Sequence, residues 1–343
     1  MSSDTLLRLD MATPRGQAVG NIVRAGYGEF RVTDLERARR FYVDLLGLVE
    51  TERAGDALYL RGLEERHHHS LVLRASDAPG VAHLAYRVGS DDDLDALHAM
   101  AEAQGLPMRW LAPDEAIAQG RTLRMQDPAG IPIEFYAAMA PAERMLQRFD
   151  LHHGAFPLRI DHFNVMVPDC QRLTEWYMHT LGFRCSEYTE TDAGGLWAAW
   201  LHRKGTVHDL AVMNGVGPRV HHLAYFLPDA MAVLRTCDVL AGAGMSDAIE
   251  RGPGRHGISN ALFLYVRDPD GNRVELYASD YLTVDPDFPP IRWAFNDLRR
   301  QTLWGHYVPR RWFEEAMPVQ SITDDAFLPI TEPRLQGTPS YVH

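Results

Sequence analysis

Three segments of this chain are written twice, in the same order. VAHLAYRV (Val81–Val88) returns as VHHLAYFL (Val220–Leu227), and VTDLERARRFYVDLLGL (Val32–Leu48) returns as VPDCQRLTEWYMHTLGF (Val167–Phe183). LRMQDPAGIPIEFY (Leu123–Tyr136) returns as LYVRDPDGNRVELY (Leu264–Tyr277). The offset is 135 residues at Val32/Val167, 139 at His83/His222 and 141 at Glu134/Glu275. Ordered matches at a nearly constant offset mark a tandem duplication, with its seam near residues 140–158. The chain must therefore fold as two copies of one plan.

Each copy is itself double: a short alternating strand, an amphipathic helix ending in Leu-Gly, then two or three strands, and the plan repeats. Strand Arg159–Val167 alternates, so Ile160, His162, Asn164 and Met166 are expected on one face. Leu173, Trp176, Tyr177 and Leu181 fall at helical spacing, with Gly182 as the stop. DPAG at Asp127–Gly130 and DPDG at Asp268–Gly271 read as hairpin turns. The fold class is α+β: four βαβββ modules paired into two tandem domains, over residues 20–140 and 155–282. Residues 283–343 lie beyond the repeat; rich in Trp, Pro and Arg, they are expected to pack on the body as a cover or partner surface.

The formal net charge of -12 argues against nucleic acid or an anionic membrane as a partner, although a few local arginines can still hold a small anion. Three cysteines, Cys170, Cys185 and Cys237, are an odd number without CxxC spacing, which indicates neither a disulfide framework nor a structural zinc site. The opening MSSDTLLRLDMATPRGQ has acidic residues and no apolar core suited to secretion, and no stretch approaches the roughly 20 apolar residues of a membrane span. A reduced cytoplasm is the expected location.

The second copy carries His162 on its first strand, His222 on the strand opening its second module, and Glu275 on that module's last strand. Two imidazoles and a carboxylate suit divalent iron or manganese and leave coordination positions for other ligands. Spacing alone is weak evidence, because any one of these histidines could be an ordinary hydrogen-bonded strand residue. The duplication adds to it: the first copy keeps His83 and Glu134 but has Tyr27 where His162 falls. A phenol substitutes poorly for imidazole, so the first copy is expected to be metal-free and structural. The run His67-His68-His69 lacks a carboxylate at consistent spacing and is read as structural, as are His221, expected to point away from His222, and His152-His153 at the seam.

RIDHFN (Arg159–Asn164), HRKGTVHD (His202–Asp209), RVHHLAYF (Arg219–Phe226) and above all IERGPGRHGISNALFLYVRDPDGNRVELY (Ile249–Tyr277) resemble the type I extradiol dioxygenases of the vicinal oxygen chelate superfamily. The resemblance spans roughly residues 20–312 and implies a glyoxalase-like fold with metal ligands His162, His222 and Glu275. It implies His208 as acid–base catalyst, Tyr265 as a hydrogen-bond partner of a substrate oxygen, Asn164 near the oxygen site, and His256 and Arg251 facing the ring substituents. Arg300, with Arg299 beside it, is implied for a substrate carboxylate, and Trp200 for packing near the ring. Without the resemblance, Tyr265 is a plain strand aromatic, Trp200 a core residue, and the three arginines solvated surface charges.

The activity so implied is O2-dependent cleavage of a catechol outside its two hydroxyls, with Fe(II), or Mn(II), as cofactor and a homotetramer as the assembly. For 3,4-dihydroxyphenylacetate the product is 5-carboxymethyl-2-hydroxymuconate semialdehyde. The same chemistry on another catechol is an alternative that would not need the arginines. A glyoxalase-like isomerase or lyase, which usually adds a second carboxylate, is another, and a metal-free binding module is a third.

Overall fold

In the computed structural model, which describes residues 11, 17–113 and 115–342, each copy of the repeat becomes one mixed sheet. Residues 1–10 and 12–16, most of the stretch read above against a leader, lie outside the described residues, as does the last residue of the tail. The first sheet contains β1 (Ile22–Val32), β2 (Val49–Ala54), β3 (Ala57–Arg61), β4 (Leu71–Ala75), β5 (Gly80–Val88), β6 (Met108–Leu111), β7 (Thr122–Gln126) and β8 (Pro132–Tyr136). The second contains β9 (Arg159–Val167), β10 (Arg184–Glu190), β11 (Leu196–His202), β12 (Leu210–Asn214), β13 (Arg219–Phe226), β14 (Ile249–Arg255), β15 (Leu262–Arg267) and β16 (Arg273–Ala278). Strand order is 2-3-4-1-5-8-7-6 in the first and 10-11-12-9-13-16-15-14 in the second, the same order advanced by eight strands. Three tail strands extend the second sheet: β17 (Ile291–Ala294) beside β10, β18 (Trp304–Gly305) beside β14 and β19 (Met317–Pro318) beside β13.

Every module has one helix, begun by a side-chain cap: α1 (Leu35–Arg39, running into a π-turn over Arg40–Leu45) by Asp34, α2 (Asp91–Ala103) by Ser90, α3 (Cys170–His179) by Asp169 and α4 (Ala230–Gly242) by Asp229. Each cap oxygen accepts a backbone N–H of the first turn that otherwise has no partner. Leu181, expected as the last helical residue, falls just past α3 but stays buried, and Gly182 takes the positive φ of the stop. Two tail helices, α5 (Leu298–Gln301) and α6 (Arg311–Glu314), are single turns. Among the described residues, no helix is long and apolar enough to cross a membrane.

One apolar cluster runs from Phe30 and Leu84 in the first sheet to Phe163 and Leu223 in the second. At Gly28 a Cβ would meet Leu223 Cδ1 at 2.7 Å, so the two sheets approach closely there and a side chain would displace Leu223. Polar contacts cross the seam in matched pairs: Tyr42 donates to Asp268 (3.1 Å) and its counterpart Tyr177 to Asp127 (3.2 Å). The Ala25 amide donates to Asp209 (2.8 Å) and its counterpart, the Ile160 amide, to Glu65 (3.1 Å). Asp127 and Asp268 begin the two DPxG turns, whose glycines, Gly130 and Gly271, have positive φ. Each turn thus docks on the other copy's helix.

Candidate metal centre

The strands β9, β13 and β16 are neighbours at the middle of the second sheet, and each brings one donor to a common point. His162 Nε2 lies 3.0 Å from Glu275 Oε2, His222 Nε2 lies 3.2 Å from the same oxygen, and the two imidazole nitrogens are 3.4 Å apart. Among the described residues this is the one group of three such side chains whose donor atoms gather within 4.8 Å. Donors that bind one ion at ~2.1 Å at right angles stand roughly 3 Å apart. The triangle therefore fits one face of the coordination shell of a divalent ion.

Two β-bulges aim the histidines. In the pairing of β9 with β13, Asp161 and His221 are the extra residues, skipped between Ala224/His162 and Tyr225/Ile160 and between Val220/Val165 and His222/Asn164. A bulge breaks strict alternation, so each extra side chain stands beside the histidine that follows it. Asp161 accepts from His162 Nδ1 at 2.8 Å. His221 Nε2 pairs with the Trp312 carbonyl at 2.9 Å, so it carries the proton, and His221 Nδ1 accepts from His222 Nδ1 at 2.7 Å. Both candidate ligands are thereby held as the tautomer that turns a bare Nε2 to the centre. His221, expected to point away from His222, instead orients it.

Lys204 braces this layer: Nζ lies 3.5 Å from Asp161 Oδ1 and 3.3 Å from Asp209 Oδ1, and donates to the carbonyls of Asp161 and His208. Burial would raise the Glu275 pKa, but the imidazoles of His162 and His222 beside it hold it well below the carboxylate range. Burial lowers His222 to about 4, whereas His162 resists its burial through Asp161 and Glu275 and is raised.

A cavity opens beside the triangle. Its walls include Asn164, Trp200, His208, His256, Tyr265, Gln301 and Trp312. His208 lies with its ring centroid 3.8 Å from that of His162; burial, then His162, keeps it well below its ordinary pKa, so its ring is neutral. Among the described residues its Nδ1 and the Asn164 Oδ1 are buried without partners, polar atoms left for a ligand. Tyr265 stands opposite Glu275 in the strand register, and its hydroxyl is 3.0 Å from His256 Nε2. His256 Nδ1 donates to the Gln301 carbonyl, which fixes Nε2 as the acceptor from Tyr265.

The arginines divide. Arg251 and Arg300 are fully buried, not surface charges. Arg251 donates to Gln301 and Thr302 and stacks on Phe263 and Trp312, while Arg300 donates to the Phe295 carbonyl. Arg299, expected beside Arg300 at the substrate, points the other way: its side chain is 72% exposed and pairs with Asp297. Consecutive residues of a single helical turn diverge by about 100°, so both cannot face one site.

In the first copy, Tyr27, His83 and Glu134 hold the positions of the triangle, Tyr27 donating to Glu134 and lying 3.0 Å from His83 Nε2. The rest of the constellation is also mirrored, which the sequence reading missed although the repeat offsets contain it. His69 is the counterpart of His208, and Arg124 of Tyr265. Gln301 and Trp312, single residues of the tail, carried no sequence signal.

A family model described as the Glyoxalase/Bleomycin resistance protein/Dioxygenase superfamily matches residues 23–135 and 159–276. The chain is 34% identical over 296 residues to the manganese-dependent 2,3-dihydroxybiphenyl 1,2-dioxygenase of Geobacillus genomosp. 3, covering 82% of this chain and 93% of that protein. Its fold matches the crystal structure of homoprotocatechuate 2,3-dioxygenase from Arthrobacter globiformis with a TM-score of 0.89 at 42% identity, over 94% of this chain and 99% of that one. The Brevibacterium fuscum homoprotocatechuate 2,3-dioxygenase in anaerobic complex with 3,4-dihydroxyphenylacetate matches with a TM-score of 0.89 at 39% identity, over 94% and 100%. Coverage of that extent takes in part of residues 313–343, beyond the limit near residue 312 read from the sequence.

Proposed function

We propose that this chain, which belongs to the glyoxalase/bleomycin resistance protein/dioxygenase superfamily and within it to the extradiol dioxygenases, opens the ring of 3,4-dihydroxyphenylacetate, with Fe(II) or Mn(II) held by His162, His222 and Glu275. The observation that carries the reading is the triangle of donor atoms, 3.0–3.4 Å on a side, at the wall of the cavity. Both atoms of O2 enter the product, and the ring bond beside the diol breaks to give 5-carboxymethyl-2-hydroxymuconate semialdehyde. The ion, when bound, supplies Lewis acidity toward the diol and a path for electrons from ring to dioxygen.

The protein's own residues do the rest. His208, neutral and with a free Nδ1, takes and returns the proton that moves between substrate and oxygen. Tyr265, fixed by His256, holds a substrate oxygen at the centre, and Asn164 lies on the oxygen side. Trp200, Met213, Ile258 and Trp312 exclude water from the ring. Among the described residues, no carboxylate comes within salt-bridge distance of Arg251 or Arg300, and each has an unpartnered nitrogen (Nε and Nη2). Buried cations left unbalanced in this way call for an anion, which a biphenyl diol lacks and the acetate of 3,4-dihydroxyphenylacetate provides. We assign catalysis to residues 155–282, support to 20–140 and cover to 283–343. Assembly as a homotetramer and residence in the cytoplasm complete the reading; the three free cysteines suit a reducing compartment.

The test is anaerobic purification, loading with one metal, and turnover of 3,4-dihydroxyphenylacetate beside unsubstituted catechol. Faster turnover of the acid is expected. Equal kcat/KM on both removes the carboxylate assignment, and no oxygen uptake with either removes the function.

A further inference from the structure

We infer that Tyr341, in the tail, is a specificity-determining residue whose hydroxyl binds the substrate carboxylate together with Arg251 and Arg300; the inference rests on the carboxylate reading above. Tyr341 is 8% exposed and packs in one cluster with Phe263, Tyr265, Val308 and Trp312, two of which line the cavity. Its ring centroid lies 5.6 Å from the Arg300 guanidinium carbon, and Arg300 and then Arg251 act most strongly on its phenol among the charged groups. Its hydroxyl faces the Arg300 guanidinium, and among the described residues Arg251 Nε and Arg300 Nη2 have no hydrogen-bond partner. Two guanidinium groups, each with an unpartnered nitrogen among the described residues, and a phenol, all more than nine-tenths buried, therefore lie in one cluster. Buried polar groups are ordinarily paired, and a carboxylate offers about four acceptor sites.

The tail is held in place by other contacts, so the hydroxyl is not needed for anchoring. The Ser340 amide donates to Asn296 Oδ1 at 3.0 Å, Leu335 and the Asn214 side chain exchange two bonds, and Thr331 pairs with Gly217. Burial pushes the phenol up to about 12, so it remains a donor at neutral pH. Gln301 connects the cluster to the ring site: its side-chain oxygen accepts from Arg251, and the residue lines the cavity.

The test compares holoenzyme with Tyr341→Phe, measuring kcat/KM for 3,4-dihydroxyphenylacetate and for 4-methylcatechol, a ring without the carboxylate. One lost hydrogen bond to a charged group predicts about a tenfold fall in the ratio of the two constants. An anaerobic titration of each protein with 3,4-dihydroxyphenylacetate should show the same weakening in Kd. A wild-type enzyme that prefers the acid and a Tyr341→Phe variant that keeps the same ratio and Kd would overturn the role of Tyr341 alone. A wild-type enzyme without that preference would overturn the carboxylate reading and this inference with it.

Discussion

Arg124 and Tyr265 hold the same position in the two copies of the repeat, each directly opposite the carboxylate of its own copy, Glu134 and Glu275. In the second copy a tyrosine stands there and brings no positive charge to the carboxylate, which faces the two histidines. In the first, the Arg124 guanidinium donates to Glu134 from Nη2 at 2.6 Å and from Nε at 2.9 Å. A fixed guanidinium thus supplies, from within the chain, the positive charge that the other copy would draw from an ion. Arg124→Met should leave a fully buried carboxylate uncompensated and cost about 3–5 kcal/mol, with the Arg124→Met/Glu134→Gln double variant recovering part of it. Urea unfolding at pH 7 measures both, and an Arg124→Met variant as stable as the parent would contradict the charge replacement.

The first copy keeps both bulges but not their cargo. Gly26 and Ala82 stand where Asp161 and His221 stand in the second, and each is the extra residue of its strand pair. Orienting partners of metal-bound histidines are commonly worth 10–100-fold in metal affinity. His221→Ala should therefore weaken metal binding by about that factor while leaving His222 in the sheet. Competition against a chelator reads the affinity directly; an unchanged value would mean that His222 needs no partner.

His208 has its ring against His162 but is not one of the three gathered donors. His208→Phe should keep metal and substrate and slow the oxygen-dependent turnover by about 10²–10⁴-fold, the usual scale of one proton-transfer group. Metal analysis beside steady-state oxygen uptake separates the possibilities. Loss of the metal would assign His208 to the coordination shell.

Glu250 links site and stability. It accepts two hydrogen bonds from Arg273 (2.6 and 2.9 Å) and two from Arg267 (3.0 and 2.8 Å), and Arg273 in turn holds the His221 carbonyl. Burial would raise its pKa, but the paired guanidinium groups outweigh burial and bring it from 4.5 to about 2. A depressed carboxylate pKa stabilises the folded state above the unfolded value and loses that contribution as pH falls toward the folded one, here between about 4.5 and 2. The contribution is about 3 kcal/mol at neutral pH. Glu250→Gln should be less stable at pH 7 and lose less than the parent between pH 5 and pH 3. Parallel slopes for the two proteins in denaturation across that range would remove Glu250 as the source.

What was legible in the sequence was whatever repeats or alternates. The duplication gave the two sheets and pointed to His162, His222 and Glu275, because each lies in a strand whose partner copy could be compared with it. The bulges were not legible: a single inserted residue inverts the face of everything beside it without changing composition, so His221 was placed opposite the residue it orients. Arg299 was misplaced for a related reason, since DLRRQ does not show which of two adjacent arginines a single helical turn buries. Arg124 and His69 were within reach, at the 141- and 139-residue offsets already in hand. Gln301 and Trp312 come from a tail with neither period nor repeat, and only packing brings them to the cavity.

The central claim is that one divalent ion is bound by His162, His222 and Glu275 alone. Anomalous diffraction from crystals of the manganese- or iron-loaded protein tests it most directly. The expected map has one strong peak per chain, within about 2.0–2.6 Å of those three side chains. A peak among Tyr27, His83 and Glu134, or beside His67 and His69, with nothing between His162, His222 and Glu275, would contradict it.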